Sequence, residues 1–277
     1  MLRCMKDMEG YSISALDGLI GEVKDYYFDD ARWVIRYLVV ETGDWFASRR
    51  VLISSAVINE PNWSEKSIPA AITRDQVKNS PHIDTDKPVL RQHEIQHLEH
   101  YKLSRYWSGS GLWGARAFSN AGLSKPGGDS SDEQYRHAEE ELQCRATDKA
   151  PHPDAHLRSG NAVMRYRIEA ADGDIGHVQA ILVDERTWAI RYFIVNTSNW
   201  WLGHEVLIAP QWIVEIDWAT SKVVVPLKRQ SIKDAPHYHS NVPLDRTEEA
   251  RVYAHHERDG YWHGEARDEA AIPHIGP

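Results

Sequence analysis

The chain has 277 residues, which is enough for two domains of ordinary size. Its net charge of −9 argues against a broad surface for nucleic acid or anionic membrane, since such surfaces depend on clustered lysine and arginine. Its two cysteines are too few for a disulfide framework or a cysteine-based zinc site. No apolar run approaches the ~18 residues that span a bilayer, and the N-terminus carries charges where a signal peptide has an apolar core. These features predict a cytoplasmic protein that does not insert into membranes.

An internal repeat organises the chain. A shift of 155 residues, the distance from Gly18 to Gly173, superposes two parts of the sequence without a gap. The matched positions are mainly glycines, aromatic residues and apolar runs: Asp17-Gly18 on Asp172-Gly173, Gly21 on Gly176, Trp33 on Trp188, Arg36-Tyr37 on Arg191-Tyr192, Trp45 on Trp200, Val51–Ile53 on Val206–Ile208, and Tyr106-Trp107 on Tyr261-Trp262. We therefore predict a duplicated protein with a first domain at 1–107, a flexible polar linker at 108–160 and a second domain at 161–277.

The first copy is predicted to consist mainly of strands. Asp17-Gly18 lies between two strand-like runs, and this dipeptide favours a tight hairpin because glycine accepts a positive φ. The segment Trp33–Val40 is apolar, β-branched or aromatic at nearly every position, which is typical of a strand buried on both faces. Val51–Ile53 and the region from Ile58 to Trp63 add further short strands. Five or six short strands predict a small barrel, since closure of the sheet removes exposed edges.

Short helices are predicted after these strands. A single helical turn over Thr73–Lys78 ends before Ser80-Pro81, because the residue before a proline avoids the α region. A longer helical arm is predicted over Leu90–Lys102. In the second copy, the same signals predict a second set of strands, a helical turn over 231–234 and a helical arm over 245–257. The expected fold is all-β with short helical tails, and it consists of two small barrels related by internal duplication.

The repeated pattern resembles the PRC-barrel family. The residues that carry the resemblance are Asp17-Gly18, Gly21-Glu22-Val23, Asp29, Trp33–Val40 and Val51–Ser54 in the first copy, and Asp172–Val178, Trp188–Tyr192 and Trp200–Gly203 in the second. Related barrels occur in the cytoplasmic part of the photosynthetic reaction centre H subunit and in a ribosome maturation factor. The resemblance implies a docking or assembly module rather than an enzyme, although a fold by itself does not establish a function.

Two arginines are candidate interface residues. Arg36 and Arg191 lie at matched positions inside otherwise apolar strands. One interpretation is structural: each pairs with a carboxylate, such as that of Asp29 or Asp184, because buried charges are normally paired, or its guanidinium reaches the solvent at the barrel rim. The other interpretation is that they bind a partner.

Three tryptophans are the other candidate interface residues. Trp45, Trp200 and Trp201 follow a predicted strand in loop-like surroundings. Tryptophan is favoured in the centre of protein–protein interfaces, so these side chains could anchor a partner. The alternative is that a tryptophan of each copy closes the end of its own barrel.

One segment matches a catalytic motif. His93-Glu94-Ile95-Gln96-His97 has the spacing of a zinc protease, in which His93 and His97 would bind the metal and Glu94 would activate water. The second copy has Glu-Glu-Ala-Arg-Val at 248–252, so it shares only the glutamate. A polar helix face is therefore the competing interpretation. Further histidines at 237, 239, 255, 256 and 263 could form no more than a weak metal site.

We expect a non-enzymatic adaptor or assembly module that needs no cofactor. It would bind a protein partner of unknown identity and would act as a homodimer or as an intrachain pseudo-dimer, because an isologous contact is the simplest use of a duplicated surface. A ribosome- or RNA-associated maturation factor is one alternative, although the acidic composition argues against nucleic acid as a partner. A zinc-dependent hydrolase that uses His93 and His97 is the other.

Overall fold

A computed structural model gives the fold of the chain, and it describes residues 1–43, 49–81, 89, 91–107, 112–113, 157–197, 204–240 and 242–263. In chain order the first half contains β1 (Leu2–Cys4), β2 (Ser12–Ala15), β3 (Gly18–Asp29), β4 (Val34–Thr42), β5 (Arg50–Ser54), β6 (Ser67–Pro69), α1 (Arg74–Lys78) and α2 (Arg91–His100). The second half contains β7 (Leu157–Ser159), α3 (Gly160–Val163), β8 (Arg167–Ala170), β9 (Gly173–Asp184), β10 (Ile190–Asn196), β11 (Glu205–Ile208), β12 (Glu215–Asp217), β13 (Lys222–Val224), α4 (Arg229–Lys233) and α5 (Arg246–His255). Within these described ranges, no helix has the length and apolar character needed to cross a membrane.

The strands form two mostly antiparallel sheets. The first sheet has the order β5-β4-β3-β2-β6, and the second has the order β11-β10-β9-β8-β13-β12. Strands β2 to β5, β6, α1 and α2 coincide, to within one residue, with elements that lie 155 positions further along the chain. The mostly β character predicted from the sequence is therefore confirmed. Common descent of the two halves stays a prediction from the sequence.

Neither sheet closes into a barrel, so the prediction of two closed barrels is wrong for the part of the chain that the structure describes. Both sheets have a linear strand order, with β5 and β6 at the ends of the first and β11 and β12 at the ends of the second. Closure would need a ladder between these end strands. Instead, the outer side of β3 pairs with β7, which belongs to the other half of the chain.

The two halves exchange strands reciprocally. β1 pairs with β9, with Leu2 opposite Asp184, and β7 pairs with β3, with Leu157 opposite Asp29. These two registers are equivalent, since Leu157 and Asp184 each lie 155 positions after Leu2 and Asp29. Each added strand covers an edge of the partner sheet that would otherwise present unpaired backbone groups.

Ion pairs accompany the exchanged strands. Arg3 Nε lies 2.8 Å from a carboxylate oxygen of Glu185, and Arg158 Nε lies 2.8 Å from a carboxylate oxygen of Asp30. Both pairs join one half to the other, and both are partly exposed to solvent. Exposed ion pairs add little stability, so they contribute to the register of the exchanged strands more than to the stability of the contact.

The sequence placed residues 157–160 in the linker, whereas the structure places Leu157–Ser159 in a strand and begins α3 at Gly160. Leu112 and Trp113 also pack against the core, and the Trp113 indole donates a hydrogen bond to the Thr187 carbonyl at 3.0 Å. The rest of the predicted linker, at 108–111 and 114–156, lies outside the described residues.

The tryptophans before β4 and β10 join the centres of the two sheets. The sequence predicted that Trp33 begins a strand, but Trp33 has a φ of 57° and Trp188 has a φ of 59°. In this left-handed conformation the Trp33 carbonyl accepts a hydrogen bond from Ile190 N at 2.7 Å, and the Trp188 carbonyl accepts one from Ile35 N at 2.9 Å. A left-handed aromatic residue is strained, so the contact between the halves compensates for this local cost.

The hydrophobic core is continuous across both halves. Phe28 stacks on Trp33 with 5.8 Å between the ring centroids, and the edge of Trp33 meets Phe193 of the second half at 5.6 Å. Phe28 also lies 6.5 Å from Trp218. Aromatic pairs at these distances stabilise the contact beyond simple burial of area. The two halves therefore share one core.

Candidate functional site

Arg36 and Arg191 each lie in a β-bulge. In β4, Ile35 pairs with Phe28 and Tyr37 pairs with Tyr27, which leaves Arg36 as the extra residue. The second sheet has the same irregularity at Arg191. A bulge breaks the alternation of side chains along a strand, and this explains how a charged residue fits inside an apolar segment.

Both arginines are buried, and each contacts a carboxylate. Arg36 is 1% exposed and lies 3.1 Å from an Asp29 oxygen, while Arg191 is 3% exposed and lies 3.6 Å from an Asp184 oxygen. Burial lowers the pKa of the Arg36 guanidinium, and the charge of Asp29 opposes that change. The geometry matches the predicted carboxylate pairing, and it places both candidate interface arginines away from the protein surface.

Aromatic rings of the segments that follow α2 and α5 cover these arginines. The Arg36 guanidinium carbon lies 3.9 Å from the centroid of the Tyr106 ring and 4.7 Å from that of Trp113. The Arg191 guanidinium lies 4.1 Å from the ring of Tyr261, the residue that matches Tyr106. Cation–π contacts are strongest when the cation is desolvated, as it is here. Each tail is therefore held against the bulge of its own sheet.

A buried glutamate completes each cluster. Glu94 of α2 is 1% exposed, accepts a hydrogen bond from the Tyr106 hydroxyl and lies 3.1 Å from Arg91. Burial raises the pKa of Glu94 to about 7, against the opposing effects of Arg91 and Tyr106. Burial and the Glu94 charge together raise the pKa of the Tyr106 hydroxyl well above its ordinary value.

The second half has the matching arrangement. Glu249 of α5 accepts hydrogen bonds from the Tyr192 hydroxyl at 3.0 Å and the Tyr261 hydroxyl at 2.8 Å, and it lies 3.1 Å from Arg246. Burial raises the pKa of both tyrosines, with Glu249 as the next cause. The Tyr192 hydrogen bond joins α5 to β10, whereas Glu94 contacts Arg91 and Tyr106 of its own tail. Repetition of the buried glutamate, tyrosine and arginine in both halves indicates a structural role for the cluster.

The zinc-protease motif lies on α2, but one of its two histidines is exposed to solvent and the other is buried. His93 is exposed, whereas His97 is 1% exposed and its Nε2 lies 2.9 Å from the Leu52 carbonyl oxygen. Burial lowers the pKa of His97 to about 4. The competing interpretation, a polar helix face, is also wrong in part, because Glu94 and His97 both lie inside the protein.

The second group of histidines is spread over several contacts. His237 stacks on His204 at 3.9 Å, and His255 Nε2 lies 2.8 Å from the Ser231 carbonyl oxygen. His256 is 8% exposed and meets the Trp212 ring at 4.9 Å, whereas His239 and His263 are exposed. Across the residues that the structure describes, no group of three histidine, cysteine or acidic side chains is arranged to hold a metal ion.

The tryptophan candidates lie outside the described residues. Trp45 belongs to residues 44–48, between β4 and β5. Trp200 and Trp201 belong to residues 198–203, between β10 and β11. Their role in binding therefore stays a prediction.

A cleft that sequence reasoning missed lies between the two halves. It has a volume of about 630 Å³ and is lined by residues of β3, β9 and the segments that precede β2 and β8. Val23 and Val178, which are matched positions, are buried and line it together. Lys24 and Gln179 also line it, and each is the extra residue of a bulge, in β3 and β9 respectively. Bulges occur often beside binding sites because they redirect a side chain.

The polar groups of this cleft are mainly basic. Lys6, Lys24, Arg165 and His177 line it, and the acidic residues are Glu9 and Asp25. Sequence reasoning overlooked this set because most of these charges have no charged counterpart at the matched position. Arg165, for example, is matched by Gly10.

Asp25 is already engaged within the cleft wall. Its carboxylate accepts hydrogen bonds from Ser159 Oγ at 2.5 Å, from Asn161 N at 3.0 Å and from Tyr26 N at 2.7 Å. Burial raises the Asp25 pKa, and these donors oppose the change. Ser159 and Asn161 belong to the second half, so Asp25 helps to fix the relative position of the two walls.

Arg165 adopts a conformation that normally favours glycine. Its φ is 71°, and the matched Gly10 has a φ of 80°. Both residues donate a backbone hydrogen bond at 2.8 Å, Gly10 to the Val23 carbonyl and Arg165 to the Val178 carbonyl. The turn therefore needs the left-handed conformation in both halves, and a side chain there is strained.

We expect Arg165→Gly to raise the free energy of unfolding by up to about 1 kcal/mol, since it relieves the left-handed strain at the cost of some chain entropy. Urea unfolding of the two proteins measures the difference. Gly10→Ala is the matched control and should destabilise, because nothing lies within 4 Å of the added Cβ and only the strain at φ +80° is introduced. A clear loss of stability in Arg165→Gly would contradict the argument.

Comparison with known proteins does not assign a family or a function to this chain. A scan against models of protein families finds no match to the chain, and a search of curated proteins also finds no match.

Proposed function

We propose that this chain is a non-enzymatic assembly module that binds a protein partner, and that its two halves are duplicated, distant relatives of the PRC-barrel family. The partner would be anchored by tryptophans at matched positions, Trp45 in the first half and Trp200 with Trp201 in the second. The two arginines, Arg36 and Arg191, would serve to hold the helical tails.

The reciprocal exchange of β1 and β7 is the observation that supports this proposal. It joins the two halves through backbone ladders, so the connections at 44–48 and 198–203 belong to one unit. A partner that contacts both connections would bind with higher affinity than through either one alone, because the second contact becomes intramolecular once the first has formed. Tryptophan is also among the residue types enriched at the contacts that dominate binding energy.

The described polar groups that most resemble catalytic machinery also favour a non-enzymatic role. Glu94 and Glu249 are 1% and 3% exposed, and both accept hydrogen bonds from tyrosines of their own half. Glu94 also accepts one from Arg91. A general acid or base must reach the reacting group. These carboxylates instead lie buried on α2 and α5 and accept hydrogen bonds from side chains of their own half.

Purification of the affinity-tagged full chain from a lysate of its source cells, after ribonuclease treatment, tests the proposal. We expect a defined protein to co-purify with the wild type and with the control Val214→Ser, which changes an apolar side chain that is 68% exposed. Recovery of that protein should fall by about tenfold or more in the double variant Trp45→Ala, Trp201→Ala, as expected for loss of interface anchors.

Three results would overturn the proposal. The first is undiminished recovery of the partner by the double tryptophan variant. The second is recovery of ribosomal proteins that disappear with ribonuclease, which would favour an RNA-associated factor. The third is one zinc ion per chain that is lost in His93→Ala, His97→Ala, which would favour the hydrolase.

A further inference from the structure

We propose that the cleft between the two halves is a binding site for a small anionic amphiphile, a molecule with an apolar body and one carboxylate or sulfonate group. This inference is independent of the proposed partner binding, which concerns the tryptophan-bearing connections.

The size and the lining of the cleft suit such a molecule. Small-molecule sites usually enclose about 300–1,000 Å³ and combine an apolar surface with a few polar groups. This cleft is open to solvent and has a volume of about 630 Å³. Met164 is partly exposed and supplies apolar surface, whereas Met5, Val23 and Val178 are at most 2% exposed and lie beneath the cleft as its apolar floor. These residues come from both halves, so the site exists only when the two halves are joined.

The charges of the cleft favour an anion over a cation. The Asp25 carboxylate already accepts hydrogen bonds from three donors. Lys24 forms an ion pair with Glu22, with 2.9 Å between Lys24 Nζ and a Glu22 carboxylate oxygen. Lys6 and Arg165 are exposed, and neither has an ion pair with any residue that the structure describes. Glu9 is then the one remaining acidic group among the described residues that line the cleft, against the two cations Lys6 and Arg165.

The conformation of Arg165 is the second, independent observation. At the matched position the first half has Gly10, which adopts the same left-handed turn without strain. The second half keeps an arginine in this turn, and the arginine lines the cleft. Strained residues are concentrated at binding and active sites, where the surrounding structure holds them in place. We therefore assign the Arg165 guanidinium to the anionic group of the ligand, with Lys6 as the second cation.

Titration with 1-anilinonaphthalene-8-sulfonate, a fluorescent apolar sulfonate, tests this assignment on the full chain. We expect saturable binding of one probe per chain, with displacement of the probe by decanoate. The variants Arg165→Gly and Lys6→Asn introduce the residues that occupy the matched positions, Gly10 and Asn161. Each should weaken binding of the sulfonate about fivefold to tenfold at low salt, as expected for loss of one charge-assisted contact.

Two controls separate this site from general effects of charge or folding. Arg251→Gln removes an exposed arginine of α5, away from the cleft lining, and should leave the sulfonate affinity within twofold. Neutral N-phenyl-1-naphthylamine has the same apolar body without the sulfonate, so its affinity should not change in Arg165→Gly. Binding without a defined stoichiometry, or equal weakening in Arg165→Gly and Arg251→Gln, would overturn the proposal, and so would equal weakening of the charged and neutral probes.

Discussion

Replacement of Arg36 by methionine is expected to lower the free energy of unfolding by about 3 to 5 kcal/mol, the range for removal of one partner of a buried ion pair. Asp29, which is 5% exposed, would keep its charge without the guanidinium at 3.1 Å. The Tyr106 ring would also lose its cation–π contact. Urea unfolding at pH 7.5, followed by tryptophan fluorescence, measures the loss.

The second half supplies a matched control for this prediction. Arg191→Met should cost less than Arg36→Met, because Arg191 lies 3.6 Å from Asp184 and the Asp184 side chain is 22% exposed. Adding Asp29→Asn to Arg36→Met should restore part of the stability, since it removes the isolated charge. Equal costs for the two arginine variants, or no restoration in the double variant, would show that the ion pair is not the cause.

Replacement of His97 by valine, the residue found at the matched position 252, is expected to change how stability depends on pH. The pKa of His97 is lowered to about 4 in the folded protein because the ring is buried, against an ordinary value of 6.5. Below pH 6.5 the unfolded chain therefore binds a proton that the folded protein does not. The wild type loses stability as the pH falls from about 6.5 to about 4, and below that range the loss levels off.

Between pH 7.5 and pH 5, this titration should cost the wild type about 2 kcal/mol that His97→Val does not lose. Urea unfolding of both proteins at the two pH values measures the difference. Glu94 titrates in the opposite sense, since its raised pKa of about 7 gives stability that is present below pH 4.5 and lost as the pH rises through 7. Glu94 is present in both proteins, so its effect cancels in the comparison to first order. A difference that does not change with pH would contradict the prediction.

Part of the candidate chemistry could be inferred from the sequence. A single charge inside an apolar strand predicts a paired arginine, because a buried charge without a partner is too costly. The structure places Arg36 beside Asp29 in agreement with that reasoning. The bulge that makes room for Arg36 was not predicted, because a bulge depends on the register between β3 and β4 and not on either segment alone.

The cleft could not be inferred in the same way. Its walls combine Lys6 with Arg165, which lie far apart in the chain and at positions that are not equivalent in the repeat. The one local signal was that Arg165 lies at the position that matches Gly10. This difference indicates strain only when the φ of that turn is known.

The sequence by itself determined most of the strands and helices of this protein, although not β1, β7 or α3, since hydrophobic patterning and turn residues act over a few neighbouring positions. It therefore predicted the repeat, the β-rich halves and the helical tails that begin near Arg91 and Arg246. Only the tertiary structure decided that the sheets stay open, that β1 and β7 cross to the opposite half, and that Glu94 and His97 are buried. The strand exchange arises from pairing between segments more than 100 residues apart, as in the pair of Arg158 with Asp30, and the burial of His97 depends on Leu52, 45 residues away. Local propensity carries no information about such contacts.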